Sequence, residues 1–282
     1  LIVEKVMKKM VFLLITFLVQ LVFPGELVLD LKKENVNKLE KKATVLYGEK
    51  DSEVGVFIAQ KPDETSYGVS SFLVDKDVIY VIDSVNGKLK SAEISDFKFS
   101  SKINIKPNTN DILKDKESIY LYNFQSSEFL KVGTQNLVPV IRKKTTSPIF
   151  KPFSNLTNEI GKKVDDVVSV SKNSVKTATI SVLKEKHTLV LKNSDLGSLQ
   201  FISSDGAGNL HFVVEIIKSM NPIKVERYWL KTDNSFKLLN ISNLPISDIF
   251  LPFREIQVNS DGTIWFINPA VNGLEILFGK GR

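Results

Sequence analysis

The sequence predicts an all-β chain: a β-propeller of about six four-stranded blades (five to seven), preceded by an N-terminal signal helix. Three observations lead there. Short β-rich runs alternate with polar turns from Leu27 onward, one hairpin plan recurs along the chain, and Asp-Gly or Asn-Gly pairs sit at its turns.

The recurring plan is an apolar strand, a polar turn containing Asp, and an aliphatic–ring pair that opens a second strand. It appears at Phe72–Asp83, Ile112–Asn123, Phe201–Val214 and Ile256–Asn268, with the pairs Ile79-Tyr80, Ile119-Tyr120, Leu210-His211 and Ile264-Trp265. Third strands are expected to start at Leu89, Phe129 and Leu274. Asp205-Gly206, Asp261-Gly262, Asn86-Gly87 and Asn272-Gly273 supply the positive φ that tight hairpins require. A small sheet of this kind cannot bury both of its faces alone, so neighbouring units must stack. The units recur at spacings on the order of the 40–50 residues that propeller blades use. The long interval between Ile119 and Leu210 leaves room for a degenerate unit around Ala178–Leu183 and His187–Leu191. Glu34–Lys42 reads as one or two helical turns, and Asn158–Val175 is polar and fits helix or strand. A pair of β-sandwiches is the competing fold.

Tyr67–Lys88 and the final unit, Ile256–Leu277, resemble the repeat of bacterial exported NHL-like β-propellers. The resemblance covers about half of the chain beyond Gly25 and leaves out residues 140–195. It implies a single propeller domain over 26–282, working outside the cytoplasm.

The first 25 residues point the same way. Lys8-Lys9 is followed by the apolar run Met10–Phe23 and then Pro24-Gly25, the layout of a secretory signal peptide. The run is shorter than the roughly 20 residues of a membrane span. Phe23 stands where a cleavage site prefers a small residue, so an uncleaved membrane anchor is the alternative. The chain has no cysteine, which removes disulfides, thiolate metal sites, a cysteine nucleophile and a lipid anchor. The formal net charge of +6 is spread among interspersed Lys, Asp and Glu, with Arg142-Lys143-Lys144 the one short basic cluster. That pattern argues against nucleic acid as a partner.

With two histidines, a His-ligated metal site or a His-dependent triad finds little support. His211 takes the ring position of the repeat, and His187 falls in the charged run Lys184–His187, where a solvated turn is expected. No cofactor is implied. Calcium is the metal that the oxygen-rich turns leave open, with Asp75, Asp77, Asp165, Asp166 and Asp205 as the obvious carboxylates. Local turn chemistry accounts for Asp75, Asp77 and Asp205 equally well. Asn155 and Asn240 open sequons of no expected use, and Phe278–Arg282 reads as a frayed tail.

In a propeller, the connections after each second strand share a face with those entering each first strand. That rim would carry Asp83, Asn86, Asn123, Gln125, Asn268 and Asn272, with Asn108, Asn110 and Arg254 leading into first strands. Asp83, Asn86, Asn123, Asn268, Asn272 and Arg254 form the candidate ligand-binding set. The expected function is non-catalytic binding or scaffolding toward an envelope or extracellular protein or glycan, in the periplasm, at the cell surface or secreted. Membrane contact is expected only through an uncleaved N-terminal segment. The alternative is a calcium-dependent propeller hydrolase, lactonase- or esterase-like, or a lyase.

Overall fold

A computed structural model describes residues 26–115, 118–126, 128–132, 137–140, 168–182 and 185–281. The signal segment, the Arg142–Lys144 cluster, Asp165-Asp166 and Asn155 lie outside these residues.

Among the described residues, twenty-one strands are arranged in five small sheets. The N-terminal strands are β1 (Glu26–Leu29), β2 (Asn37–Lys38) and β3 (Glu40–Val45). The first sheet contains β4 (Val69–Asp75), β5 (Val78–Asp83), β6 (Lys88–Glu93) and β7 (Ser100–Asn104). The second contains β8 (Thr109–Asp115), β9 (Ser118–Asn123), β10 (Glu128–Val132) and β11 (Leu137–Val140). The third joins β12 (Val168–Lys172), β13 (Thr177–Val182) and β14 (Glu185–Leu191) to β1. The fourth joins β15 (Asp195–Ser204), β16 (Leu210–Met220), β17 (Ile223–Thr232) and β18 (Leu238–Leu244) to β2. The fifth joins β19 (Ile256–Val258), β20 (Ile264–Ala270) and β21 (Gly273–Gly279) to β3. The number of sheets is the lower end of the expected five to seven, and the fold is all-β and propeller-like.

The apolar runs behave as stacking demands. Side chains alternate across a strand, and here both faces meet a neighbour, so β4 and β5 are buried almost throughout. Phe72, Val74, Ile79 and Val81 pack toward Trp265, Ile267 and Ile276 of the fifth sheet. Leu73, Ile82 and Leu89 turn the other way, onto Ile112, Leu121 and Leu130 of the second. Val213 and Trp229 of the fourth meet Ile256, Ile264 and Phe266 of the fifth, and a separate layer joins the third and fourth sheets through Leu189, Leu191, Phe212 and Leu230. Each of these four apolar layers is thus an interface between two sheets, while Leu113, Tyr122 and Phe129 cluster within the second sheet. Innermost strands neighbour one another, β12 beside β15, β15 beside β19, and β4 beside β8. Between β19 and β4, Gln257 grips the backbone of Val74, its Oε1 accepting from the N–H (2.7 Å) and its Nε2 donating to the carbonyl (2.8 Å).

The Glu34–Lys42 expectation is overturned. A single tight turn closes on Asp30, whose carbonyl accepts from Lys33 N and Glu34 N, and β2 and β3 follow. The helix-friendly composition loses to tertiary pairing: β2 runs parallel to β18, and β3 runs antiparallel to β21. His187 is the second correction. It sits on β14, buried, stacked on Phe236 with ring centroids 5.0 Å apart. The tail is a third, since β21 extends to Gly279 and Gly281 packs onto Lys231. The sequon residue Asn240 is buried on β18 and donates to Ser242 Oγ.

The degenerate unit is real but reversed. Leu196 N, at the start of β15, donates to Val175 O in the β12–β13 turn (2.6 Å). The far end of β12 therefore lies beside the beginning of β15, and the two strands run in opposite directions. In the first and second sheets, by contrast, the strand starts lie together, because Ser71 Oγ on β4 donates to Asp111 on β8 (2.7 Å).

The turns follow the expected chemistry with one shift. Gly87, Gly262 and Gly273 have positive φ, but in the Asp205 turn that conformation falls on Gly208 (φ 82°) rather than Gly206. Gly262 has the least freedom: at φ 79° an added Cβ would lie 2.3 Å from Lys231 Nζ and 2.6 Å from Asp205 Oδ2. Gly262→Ala is expected to cost about 1–3 kcal/mol, read as a lower midpoint in thermal unfolding. An unchanged midpoint would contradict the close approach.

Candidate functional site

Register defines the face in question. Val69 pairs with Asp83, and Thr109 with Asn123, so β4 and β8 begin where β5 and β9 end. Ile267 N donates to Glu255 O just ahead of β19, which places Asn268 and Arg254 at the corresponding level of the fifth sheet. This end is called the top face. The expected rim residues all belong to it, but most are spent on holding the protein together.

Asp83 is fully buried. Its Oδ2 accepts from Gly55 N (3.1 Å) and Asn86 Nδ2 (2.8 Å) and lies 3.0 Å from Lys90 Nζ, while Oδ1 accepts from Asn86 N (3.1 Å). Asn86 also donates to Gly48 O (3.0 Å). Lys90, itself buried, reaches the carbonyls of Lys50 (3.1 Å) and Glu53 (2.5 Å). Together these groups clamp the segment between β3 and β4 over the first sheet. Asn123 shapes its own turn, donating to Pro107 O (2.7 Å) and accepting from Ser126 N (3.0 Å). Asn268 donates to Glu275 Oε2 (2.9 Å), and Lys41 pairs with the same carboxylate. The hairpin here runs two residues further than in the first two sheets, to Ala270↔Gly273, so Asn268 sits below the rim. Asn272 is exposed in that turn.

Arg254 spans the inner strands of three sheets. Its Nε donates to Asp111 Oδ1 (2.9 Å), its Nη2 to Asp111 Oδ2 (2.7 Å), and its backbone N to Ser70 O (3.1 Å). Burial pulls the Arg254 pKa down, but the charge and hydrogen bonds of Asp111 together leave it above its ordinary value. The next residue faces the opposite way, as adjacent side chains in an extended chain must. Glu255 accepts two hydrogen bonds from Arg227 of β17, Nη1 at 3.0 Å and Nη2 shorter still, and Glu215 stands 3.3 Å from Arg227 Nε. Arg254-Glu255 thus ties the fifth sheet to the first and second on one side and to the fourth on the other. Asp111, Ser71, Arg227 and Glu255 were not in the expected set. The signal for them was an adjacent pair of opposite charges leading into an apolar strand.

The opposite end is pinned by a second polar cluster. Asp205 Oδ2 lies 3.3 Å from His211 Nε2 and 3.1 Å from Lys231 Nζ, and Trp229 Nε1 donates to His211 Nδ1 (3.1 Å). Gly206 N donates to Ser260 O of the fifth sheet (2.7 Å). Burial pushes the His211 imidazole down to about 4, and Lys231 adds to that while Asp205 opposes it. Burial would raise the Asp205 pKa, but donors from Asn209, Lys231 and His211 hold it well below the usual carboxylate range. His211 is a repeat ring residue, as expected, with two hydrogen-bonding neighbours that the repeat pattern did not reveal.

The top face also carries exposed apolar side chains. Apart from Val28 and Leu239, the large apolar side chains exposed among the described residues stand on connections or at the hairpin ends of strands at this end. Phe57 and Tyr67 stack at 5.1 Å between β3 and β4, Phe124 and Val271 tip the second-strand turns, Met220 crowns the β16–β17 hairpin, and Leu251 precedes β19. Charges interspersed here pair with one another, as in Lys106–Glu128, Lys176–Asp195 and Lys218–Glu226. Among the described residues no group of three His, Asp or Glu side chains is placed to hold a metal ion.

Fold and face together define a propeller-like all-β protein with a structurally committed polar interior and exposed apolar side chains on its top face. No family model matches the chain, and no curated protein does. Solved structures do resemble it. A structural genomics protein of unknown function from Bacteroides thetaiotaomicron shares 6% identity over 86% of this chain and 75% of its own, with a TM-score of 0.37. YCF48 from Cyanidioschyzon merolae shares 12% identity over 86% of this chain and 99% of its own, with a TM-score of 0.32. Hydrazine synthase from Kuenenia stuttgartiensis shares 12% identity over 71% of this chain, with a TM-score of 0.25, and this chain spans 63% of its length. TM-scores this low carry no functional assignment.

Proposed function

We propose that the chain is an exported, non-catalytic binding or scaffold propeller of NHL-like type, which presents its top face to a protein or glycan of the envelope or the outside of the cell. The observation that carries this reading is the gathering of exposed apolar tips on one face, where several of the interspersed charges pair with one another. Export is supported by the Lys8-Lys9 and Met10–Phe23 layout, and a reporter fused behind residues 1–25 should appear outside the cytoplasm. Cytoplasmic retention of the fusion would refute export.

The calcium-dependent hydrolase or lyase needs Asp83, Asn123 and Asn268 to converge on one ion at oxygen-ligand distance. Each is instead bonded to neighbours in its own part of the fold, Asp83 to a lysine, so we do not adopt that reading. The test of the binding face is a variant carrying Phe124→Ser, Met220→Ser, Leu251→Ser and Val271→Ser. Exposed positions of this kind change stability by within about 0.5 kcal/mol each, so circular dichroism and the unfolding midpoint should be nearly unchanged. Cross-linked partners recovered from envelope fractions should be lost. Equal recovery with wild type and variant would refute the proposal.

A further inference from the structure

We propose that Phe124, just past the end of β9, is the stacking surface of a binding site for a neutral pyranose sugar, with Asn108, Asn110 and Gln125 as its hydrogen-bonding rim. The inference rests on the binding-face reading and narrows it to one turn and one class of ligand.

Phe124 is 64% exposed, yet its backbone is fixed. Its N–H is shared between Asn108 O (3.3 Å) and Asn110 Oδ1 (3.4 Å), and Asn123 ties the turn from beneath. Asn108 adopts a left-handed conformation (φ 60°), and its Nδ2 donates to Gln125 Oε1 (2.5 Å). That bond orients both amides. It leaves Asn108 Oδ1 as an acceptor, and Gln125 Nε2 and Asn110 Nδ2 as donors, with no hydrogen bond among the described residues. An exposed aromatic residue whose backbone N–H is held by Asn108 and Asn110, next to Gln125, brings a ring and amide donors and acceptors to one place, which matches a pyranose with its C–H face and its hydroxyls that donate and accept.

The charge pattern narrows the class further. The flanking charges, Lys106 and Glu128, pair with each other at 3.5 Å, and Glu128 also accepts from Ser126 Oγ (3.1 Å). The two charges offset each other, so the turn favours neither an acidic nor a basic ligand. A purely apolar partner would desolvate three amide groups without replacing their hydrogen bonds, at a cost. The equivalent turn of the first sheet is roofed: Gly55 donates to Asp83 and approaches Val85 so closely that an added Cβ would lie 2.5 Å from the Val85 Cβ. Among the described residues no such segment covers Phe124.

The test is an array of neutral oligosaccharides of glucose, galactose, mannose and N-acetylglucosamine, followed by calorimetric titration with full-length protein. At least one should bind, and Phe124→Ala and Gln125→Ala should each weaken it by about tenfold. Leu239→Ala, at an exposed apolar residue away from the top face, should leave it unchanged. The substituted side chains are exposed, so unfolding midpoints report that all three variants fold. Absence of binding up to about 10 mM sugar, or equal affinity in Phe124→Ala, overturns the proposal. If sugar binding is absent while the four-serine variant still loses its cross-linked partners, this inference alone falls. If those partners are retained, the binding-face reading falls.

Discussion

Asp111→Ala is expected to destabilise the protein by about 3–5 kcal/mol, measured as a lower midpoint in guanidinium unfolding followed by Trp229 and Trp265 fluorescence. The reason is the guanidinium left behind. Arg254 is buried and makes a two-point contact with Asp111 at 2.9 and 2.7 Å, and Ser71 Oγ donates to the same carboxylate. Without Asp111, Arg254 stays charged, because a guanidinium is not deprotonated in proteins, and the buried cation loses its two-point contact with a carboxylate. Arg254→Ala leaves the mirror problem, a buried carboxylate. The double variant Arg254→Met with Asp111→Leu removes both charges and should recover most of the loss, because a buried pair replaced by apolar groups of similar volume is often neutral or stabilising. Should Asp111→Ala unfold at the wild-type midpoint, the pair is not the inter-sheet tie described. A double variant no better than either single would move the effect to lost shape rather than lost charge.

The same pair shows where reading the sequence reaches its limit. Asp111 and Arg254 are 143 positions apart, and neither residue alone carries a mark of the other. The end of the sheet that Asp83, Asn123, Asn268 and Arg254 occupy was legible, because repeat position and strand period fix it, although the longer β20–β21 hairpin drops Asn268 below the rim. Their partners were not, because those lie on different sheets. The hairpins were legible for a local reason: Phe72–Asp83 and Ile256–Asn268 put apolar alternation, an Asp turn and an aliphatic–ring pair within a dozen residues. The N-terminal strands show the opposite case. β2 and β3 are short, polar and lysine-rich, and they exist because the outer edges of two sheets offer unpaired backbone groups. The middle of the chain was hard for another reason. β12 runs against β15, so the third sheet breaks the repeat frame while keeping its apolar strands. His187 was misplaced because its charged neighbours suggested a turn, whereas alternation along β14 carries its ring inward onto Phe236.

Lowering the pH from 6.5 to about 4 should remove about 3 kcal/mol of stability through His211 alone. The indole N–H of Trp229 can only donate, so His211 Nδ1 is an acceptor and the imidazole proton sits on Nε2, toward Asp205. Protonating Nδ1 would set one donor against another in a site with no exposure to water. Burial accordingly depresses the pKa from 6.5 to about 4. The folded protein then takes up this proton less readily than the unfolded chain does. Between these two values acid favours the unfolded chain, so the stability is fully present above pH 6.5 and lost progressively as pH falls toward 4. Asp205 adds a second loss at lower pH in the same direction, since its carboxylate is held below the usual range and must be protonated against its donors. His211→Gln is the informative variant: its amide can accept from Trp229 and donate to Asp205, but it does not titrate. Unfolding free energies measured from pH 7 to 4 should slope steeply in the wild type and much less in His211→Gln. Equal slopes would move the titration to another group and leave the Asp205–His211–Trp229 cluster as an inter-sheet tie without a role in acid sensitivity.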